Sequence, residues 1–407
     1  MMVTELLPAG TPRPITEILD RLAAAPSRLP FDRAASDLLA DLSHRILAAK
    51  DLARAADAVA LGYWLRPANL VRLAERYPPP PDGSLRVPAG VAFHIPPSNV
   101  DMMFAYSWAA GLLAGNRQIV RLSRRRGELA DRLLTVIGEA LAASLAIAGG
   151  TAFVEYDRDD AVTAAISARC DLRVIWGGDA TVAAIRAIPL APHAKETVFA
   201  DRLSLTILSA SAVLDLGDAA LAALAGRLFA DVLTFDQMAC SSPRHLIWVG
   251  PPETADLAER RLTAAMAMEI RRRDYRIAPA TALEKYSAAC RAALRTDVRA
   301  IERTRTDWVL VDLGDGPVVP PEQPHPGAGL LYRCRVDAVA DIAPMITRAA
   351  QTLTHFGIDR ATLEDLARQL AGKGIDRIVP LGEALAFDLL WDGYDLIDQF
   401  TRRVVVR

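Results

Sequence analysis

No two cysteines stand close enough to form a motif. Cys170, Cys240, Cys290 and Cys334 are 70, 50 and 44 residues apart, which removes zinc ribbons and CxxC redox centres. Charge of one sign is not in excess: 47 Lys and Arg face 49 Asp and Glu, for a formal net charge of -2. Electrostatics therefore offers no reason to expect nucleic acid or an anionic membrane as partner. Long hydrophobic runs are missing too. The most apolar stretch, Leu133 to Gly150, carries Glu139 and ends in two glycines; it is short for a bilayer span and reads as a buried helix. Residues 1–11 lack the basic start and apolar core of a secretion signal, so a soluble, cytoplasmic chain without a disulfide framework is expected. GxGxxG and GxSxG are both absent, so neither an ordinary dinucleotide fold nor a serine hydrolase is supported. His44, His94, His193, His245, His325 and His355 never pair at metal spacing and read as structural, with no metal expected.

What the sequence does hold is alanine, inside a 52% hydrophobic composition with only 6% aromatics. That favours helices packed closely on a sheet. Residues 1 to about 76 read as helices, with Leu38, Leu39, Leu42, Ile46 and Leu47 at helical spacing. Pro78-Pro79-Pro80-Pro81-Asp82-Gly83 breaks the pattern as a stiff connection. Strands at Val91–Ile95, Gln118–Leu122, Ala152–Tyr156 and Leu172–Trp176 then alternate with helices at 100–114, 127–143, 160–168 and 180–188. Such alternation predicts an α/β fold with a parallel sheet covered on both faces, whose ligands bind beyond the carboxyl ends of the strands. A second α/β stretch follows, with a helix at Asp218–Leu233, a polar loop at Thr234–Pro243, a strand at His245–Val249 and a helix at Glu253–Arg273. Pro317–Pro326 reads as a surface loop. The valine-rich end, Thr401–Arg407, reads as a strand that pairs with another element or another subunit. The regions expected are 1–85, 86–212, 213–375 and 376–407.

Four places could carry chemistry. Cys240 lies between a helix and a strand, in a loop of small and polar residues where a substrate could reach a thiol and backbone N–H groups could stabilise a thiolate or an oxyanion. Ordinary buried cysteine fits the other three positions better. Asn99 follows Pro96-Pro97-Ser98 at the end of the first parallel strand; it reads either as a helix N-cap or as an amide donor into a site at that strand end. Ser123-Arg124-Arg125-Arg126, after the second strand, is either a solvated basic turn or a cationic edge that meets a cofactor ribose or 2′-phosphate. Trp176-Gly177-Gly178-Asp179 turns a strand tightly into a helix, which is a ready phosphate site.

Taken in order and spacing, Pro97-Ser98-Asn99, Gly115-Asn116, a strand ending in a cation and Ser123, the Gly177-Gly178 turn and an isolated loop cysteine resemble the aldehyde dehydrogenase superfamily. The wording of Phe235-Asp236-Gln237-Met238-Ala239-Cys240-Ser241-Ser242-Pro243, Asp201-Arg202-Leu203-Ser204-Leu205 and Trp391-Asp392-Gly393 is similar to the LuxC-type acyl-CoA reductases. The resemblance spans roughly residues 86–407. It implies an aldehyde dehydrogenase-like fold: an N-terminal helical region, a nicotinamide cofactor domain over 86–212, a catalytic domain over 213–375 and a C-terminal oligomerisation strand in a homo-oligomer. It also implies NADPH-dependent reduction of an acyl thioester, usually fatty acyl-CoA, with delivery by CoA or an acyl-carrier protein, to the aldehyde, and an acyl-transferring partner enzyme. Carried over by residue, Cys240 is the nucleophile and Asn99 the oxyanion donor. Arg121 stands where the superfamily usually has a lysine reaching the adenosine ribose, Ser123 and Arg124 follow it, and Gly177 and Gly178 stand at the phosphate turn. Aldehyde-oxidising members carry a Glu-x-Gly-Gly base for hydrolytic water; here the stretch reads Phe199-Ala200-Asp201-Arg202-Leu203-Ser204, which argues for reduction. Two rival classes stay open on sequence: a cysteine acyltransferase or thioesterase without nicotinamide, and a non-catalytic subunit of an acyl-processing complex.

Overall fold

A computed structural model describes residues 1–97, 100–317 and 325–407, the side chains at 303 and 304 excepted. The chain forms two compact units, residues 1–201 with 387–407, and residues 202–386. The N-terminal helices share one apolar core with the first sheet, Leu38, Leu39 and Leu42 clustering with Phe104, Leu133 and Phe153.

The first unit is built on a seven-stranded sheet. In chain order the unit's strands up to residue 201 are β1 (Met2–Leu7), β2 (Thr11–Pro14), β3 (Leu85–Pro88), which lies outside this sheet, β4 (Val91–Ile95), β5 (Arg117–Leu122), β6 (Thr151–Glu155), β7 (Leu172–Trp176) and β8 (Lys195–Phe199). The spatial order is β2-β1-β6-β5-β4-β7-β8. From β6 to β8 every pairing is parallel, as the strand–helix alternation predicts. β4 starts the doubly wound part, with β5 and β6 on one side and β7 and β8 on the other, so the winding reverses between β4 and β7. All five residues of β4 are buried, and so are all eleven of the helix Met103–Leu113 that follows.

One sequence expectation fails in this unit. Residues 2–14 are strands, not helix: β1 pairs antiparallel with β2 and with β6. Val3 and Glu5 share the buried face of β1, and the charge of Glu5 hides the alternation. Arg21 and Arg13 neutralise that carboxylate. The end of the chain pairs within its own unit, Thr401–Val404 running antiparallel to β3. Asn116 anchors this return. Its carbonyl accepts from Gly90 N at 3.0 Å and its amide donates to Phe400 O at 2.9 Å. Gly115, at φ +85°, has no room for a side chain, because a Cβ would lie 2.4 Å from Arg28 O.

The second unit holds β9 (Leu203–Ser209), β10 (Pro243–Val249), β11 (Ala300–Arg305), β12 (Trp308–Asp315), β13 (Leu330–Val336), β14 (Ala350–Phe356) and β15 (Arg377–Pro380). Their order is β11-β12-β13-β10-β9-β14-β15, parallel throughout except for the β11–β12 hairpin. Alternate residues of β10 feed two cores. Leu246 and Trp248 join Leu228, Leu262 and Met266 of the helices Asp218–Leu233 and Pro252–Arg272. Ile247 joins Ala288, Ala292, Leu363 and Leu366 of the helices Pro279–Ala293 and Arg360–Leu370. Among the described residues no helix is long and apolar enough to cross a membrane.

Candidate active site

Cys240 sits where the sequence places it, between the helix Asp218–Leu233 and β10, half-buried. What leads into it is unusual. Phe235, Asp236 and Gln237 have φ of +59°, +51° and +62°, three successive side-chain-bearing residues in a region that costs roughly 1–2 kcal/mol each. The surroundings compel this shape. The Gln237 amide nitrogen donates to Pro243 O at 2.7 Å and Leu330 O at 3.0 Å, and its carbonyl accepts from Gly329 N at 2.8 Å. Asp236 O accepts from Ala328 N at 2.7 Å, and the Asp236 carboxylate accepts from Tyr275 OH at 2.7 Å. Gly327 has to be glycine, since its φ is +71° and a Cβ would lie 2.3 Å from Asp236 O. Lys285, 2% exposed, donates to Ala328 O at 2.5 Å, and burial pulls its pKa down to about 7. Thus Gly327–Gly329 forms a seat for the turn before Cys240, fastened beneath by Lys285. Sequence reading missed Gln237, Lys285 and this seat. The one available sign was a lysine inside an alanine-rich helix.

The other thiols have different surroundings. Cys170 and Cys334 are buried, and burial pushes Cys170 up to about 12, which keeps it protonated and inert. Cys290 departs from the expectation of a buried cysteine and is exposed.

Asp231, one turn before the loop, was also missed. It is fully buried, its carboxylate accepts from Gly382 N at 2.7 Å and Ala384 N at 3.0 Å, and burial pushes its pKa up to about 7. The native state keeps this proton above pH 4, where an unfolded aspartate has lost it. Stability should therefore fall as pH rises from about 4 to about 7, by up to ~1.4 kcal/mol per pH unit from this group. Urea unfolding of the native chain and of Asp231→Asn across that range should give curves that converge or cross as pH rises. Parallel curves would mean that Asp231 ionises freely.

In the first unit, Arg121, Ser123, Arg124, Gly177 and Gly178 gather at the carboxyl ends of β5 and β7, either side of β4. Arg121 lies over the Tyr156 ring at 4.8 Å, and its buried Nε has no hydrogen-bond partner among the described residues. Ser123 Oγ accepts from Arg125 N at 3.0 Å. The basic edge is not a set of unpaired cations. Arg124 meets Asp157 at 3.1 Å and Glu155 at 3.4 Å, and Arg126 pairs with Glu155 and Asp131. Gly178 opens the helix Asp179–Arg186, and a Cβ built there meets nothing within 4 Å. Packing therefore does not demand glycine at this position, and the turn is open to close approach.

The strand end beneath the turn is rigid. Trp176 stacks on Phe199 at 3.7 Å and donates to Ser107 Oγ at 3.0 Å; Ser107 in turn meets His94 Nδ1 at 2.7 Å. Burial pulls the His94 pKa down to about 3, so the ring is neutral and structural. Trp391 packs beside Tyr106 and Trp176. Asp392 and Gly393, at φ +50° and +75°, make the two-residue turn of the hairpin Leu390–Trp391 and Tyr394–Asp395, which gives Trp391-Asp392-Gly393 a structural reason. Asn99 lies outside the described residues. Among those residues no three His, Cys, Asp or Glu are grouped to hold a metal.

Two parallel α/β units, one with a glycine turn at its winding reversal and one with a loop cysteine, define an aldehyde dehydrogenase-like fold, and solved structures agree. Aldehyde dehydrogenase 21 from Physcomitrella patens, in complex with the reaction product succinate, superposes with a TM-score of 0.69 at 12% identity, over 100% of this chain and 94% of that one. Methylmalonate-semialdehyde dehydrogenase from Oceanimonas doudoroffii gives 0.66 at 14% identity, over 96% and 89%. Glyceraldehyde-3-phosphate dehydrogenase from Methanocaldococcus jannaschii, complexed with NADP, gives 0.64 at 12% identity, over 99% and 97%. Identities this low establish the fold alone. No curated protein matches the sequence. Residues 73–403 match the LuxC acyl-CoA reductases, and the chain belongs to that family. It is an oxidoreductase, an acyl-CoA reductase, which favours the reductase reading over the transferase and scaffold readings.

Proposed function

We propose that the enzyme reduces an acyl thioester, from acyl-CoA or acyl-carrier protein, to the aldehyde with NADPH through an acyl group carried on Cys240. The observation that carries this reading is the restrained left-handed turn that presents a half-buried Cys240 in a loop, while the other three thiols are buried or lie on a helix surface. Attack by the Cys240 thiolate forms a sulfur–acyl bond and breaks the donor's, releasing the donor thiol. One thioester replaces another, so the exchange is nearly thermoneutral. Asn99 and backbone N–H of the loop would carry the oxyanion charge. Bound NADPH would supply the hydride equivalent that brings the acyl carbon to the aldehyde level. Collapse then returns the electron pair to Cys240 sulfur and frees the aldehyde. Gly177 and Gly178 would receive the cofactor phosphates, and Arg121, Ser123 and Arg124 would face the adenosine ribose. The open position at Gly178 and the hydrogen-bonding capacity left at Arg121 suit such a ligand. The test is NADPH oxidation over a panel of acyl-CoA lengths and acyl-carrier-protein thioesters, with the aldehyde trapped and identified. Free acid as the only product would overturn the reading.

NADPH should be preferred over NADH. Arginine binds a 2′-phosphate bidentately, and here Arg124 also neutralises Glu155 and Asp157. Arg124→Ala/Arg125→Ala therefore removes cations and exposes carboxylates together. The ratio of kcat/KM for NADPH over NADH should fall by at least about tenfold, or ~1.4 kcal/mol. A native preference for NADH, or an unchanged ratio in the double variant, contradicts this.

A further inference from the structure

Ser204 stands at a point of the second sheet where the ladder is disturbed on both sides. Towards β10, Ser204 pairs with Pro243 and Leu205 with His245, so Arg244 is an extra residue. Towards β14, Leu203 pairs with Ala350 and Leu205 with Leu353, again leaving one residue too many opposite Ser204. Pro243 also has no N–H to give to the ladder. Bulges of this kind leave backbone groups without their strand partners and concentrate beside active sites, where they re-aim a segment.

The Ser204 side chain takes over what the ladder has lost. It is fully buried. Its hydroxyl donates to Cys240 O at 2.8 Å and accepts from Thr352 N at 3.2 Å. One hydroxyl thus links a β14 amide to the carbonyl of the loop cysteine. Two residues earlier, just before the strand, Arg202 donates to Ala350 O at 2.9 Å and pairs with Asp376 at 2.5 Å, fixing the start of β14. The contact fixes the peptide plane that follows Cys240, and so restrains the backbone that carries its side chain. Gln237 and the Gly327–Gly329 seat hold the approach to Cys240; Ser204 holds Cys240 itself.

We propose that Ser204 is a positioning residue for acyl transfer, aligning the Cys240 thiol through the Cys240 carbonyl. The inference rests on Cys240 being the nucleophile. Ser204→Ala removes the link without adding bulk, and Ser204→Thr keeps the hydroxyl. The experiment follows acyl-CoA in single turnover without NADPH, by intact mass and peptide mapping, each rate normalised to folded enzyme. NADPH binding by fluorescence and the thermal midpoint are measured alongside.

Acylation of Cys240 should slow about 10- to 100-fold in Ser204→Ala and recover substantially in Ser204→Thr, with NADPH affinity unchanged. Should alanine prevent folding, Ser204→Cys, similar in size but a weak donor, replaces it in the comparison and should slow acylation likewise. A lower thermal midpoint with an unaltered acylation rate would show a merely structural serine and overturn the inference alone. An unaltered chain that takes no acyl group on Cys240 would overturn the nucleophile assignment, and the inference with it.

Discussion

Cys240→Ala should abolish acylation and aldehyde formation together, lowering turnover by at least about 10⁴-fold, as loss of a covalent nucleophile does. The fold should survive, because a half-buried cysteine in a loop contributes little to packing. Cys170 and Cys334 are buried, so their replacement by alanine should cost some stability but leave acylation per folded molecule intact. Cys290 is the informative control. Exposed on a helix, it will react with iodoacetamide as readily as an ordinary thiol, so alkylation alone does not identify the nucleophile. Protection by acyl-CoA does: it should shield Cys240 and leave Cys290 open to the reagent. A Cys240→Ala variant that still forms aldehyde at a measurable fraction of the native rate would remove Cys240 from the chemistry.

Gln237→Ala should produce the largest combined loss of stability and activity outside the nucleophile. The side chain is 1% exposed and makes three hydrogen bonds, to Pro243 O, Leu330 O and Gly329 N. Its removal strands all three backbone groups away from water, at about 1 kcal/mol or more each, so the loss should be at least about 3 kcal/mol. The φ of +62° adds strain that alanine does not relieve. Gln237→Glu should be nearly as damaging, because an ionised carboxylate has no proton for Pro243 O or Leu330 O. Urea unfolding and Cys240 acylation, measured on the same samples, check this. If Gln237→Ala keeps its stability to within ~0.5 kcal/mol and acylates normally, something else holds the turn.

Much of the architecture was legible because parallel strands buried on both faces announce themselves as short apolar runs between helices. The strands at 91–95, 118–122 and 172–176 lie within one residue of their expected places. β1 escaped because a charged residue, Glu5, occupies its buried face, which Arg13 and Arg21, further along the chain, make tolerable. The position of Cys240 could be read from its neighbours, but not the left-handed turn before it. That turn depends on Gly327, Ala328 and Gly329, about 90 residues further on, and no local pattern reports contacts at such separation. The same holds for Arg124, whose carboxylate partners belong to the next strand and the loop beyond it. Ser204 was visible only as part of a family-like phrase. Its role emerges from two register shifts that exist once three strands are paired.

The central claim is a covalent acyl group on Cys240, and the most direct measurement is of that adduct. Enzyme mixed with acyl-CoA and no NADPH should gain the mass of one acyl group, located on the peptide containing Cys240, with release of one equivalent of CoA thiol. Adding NADPH should discharge the adduct to aldehyde at a rate no slower than steady-state turnover. An enzyme that forms aldehyde yet never accumulates the adduct, or carries it on a different residue, would contradict the account.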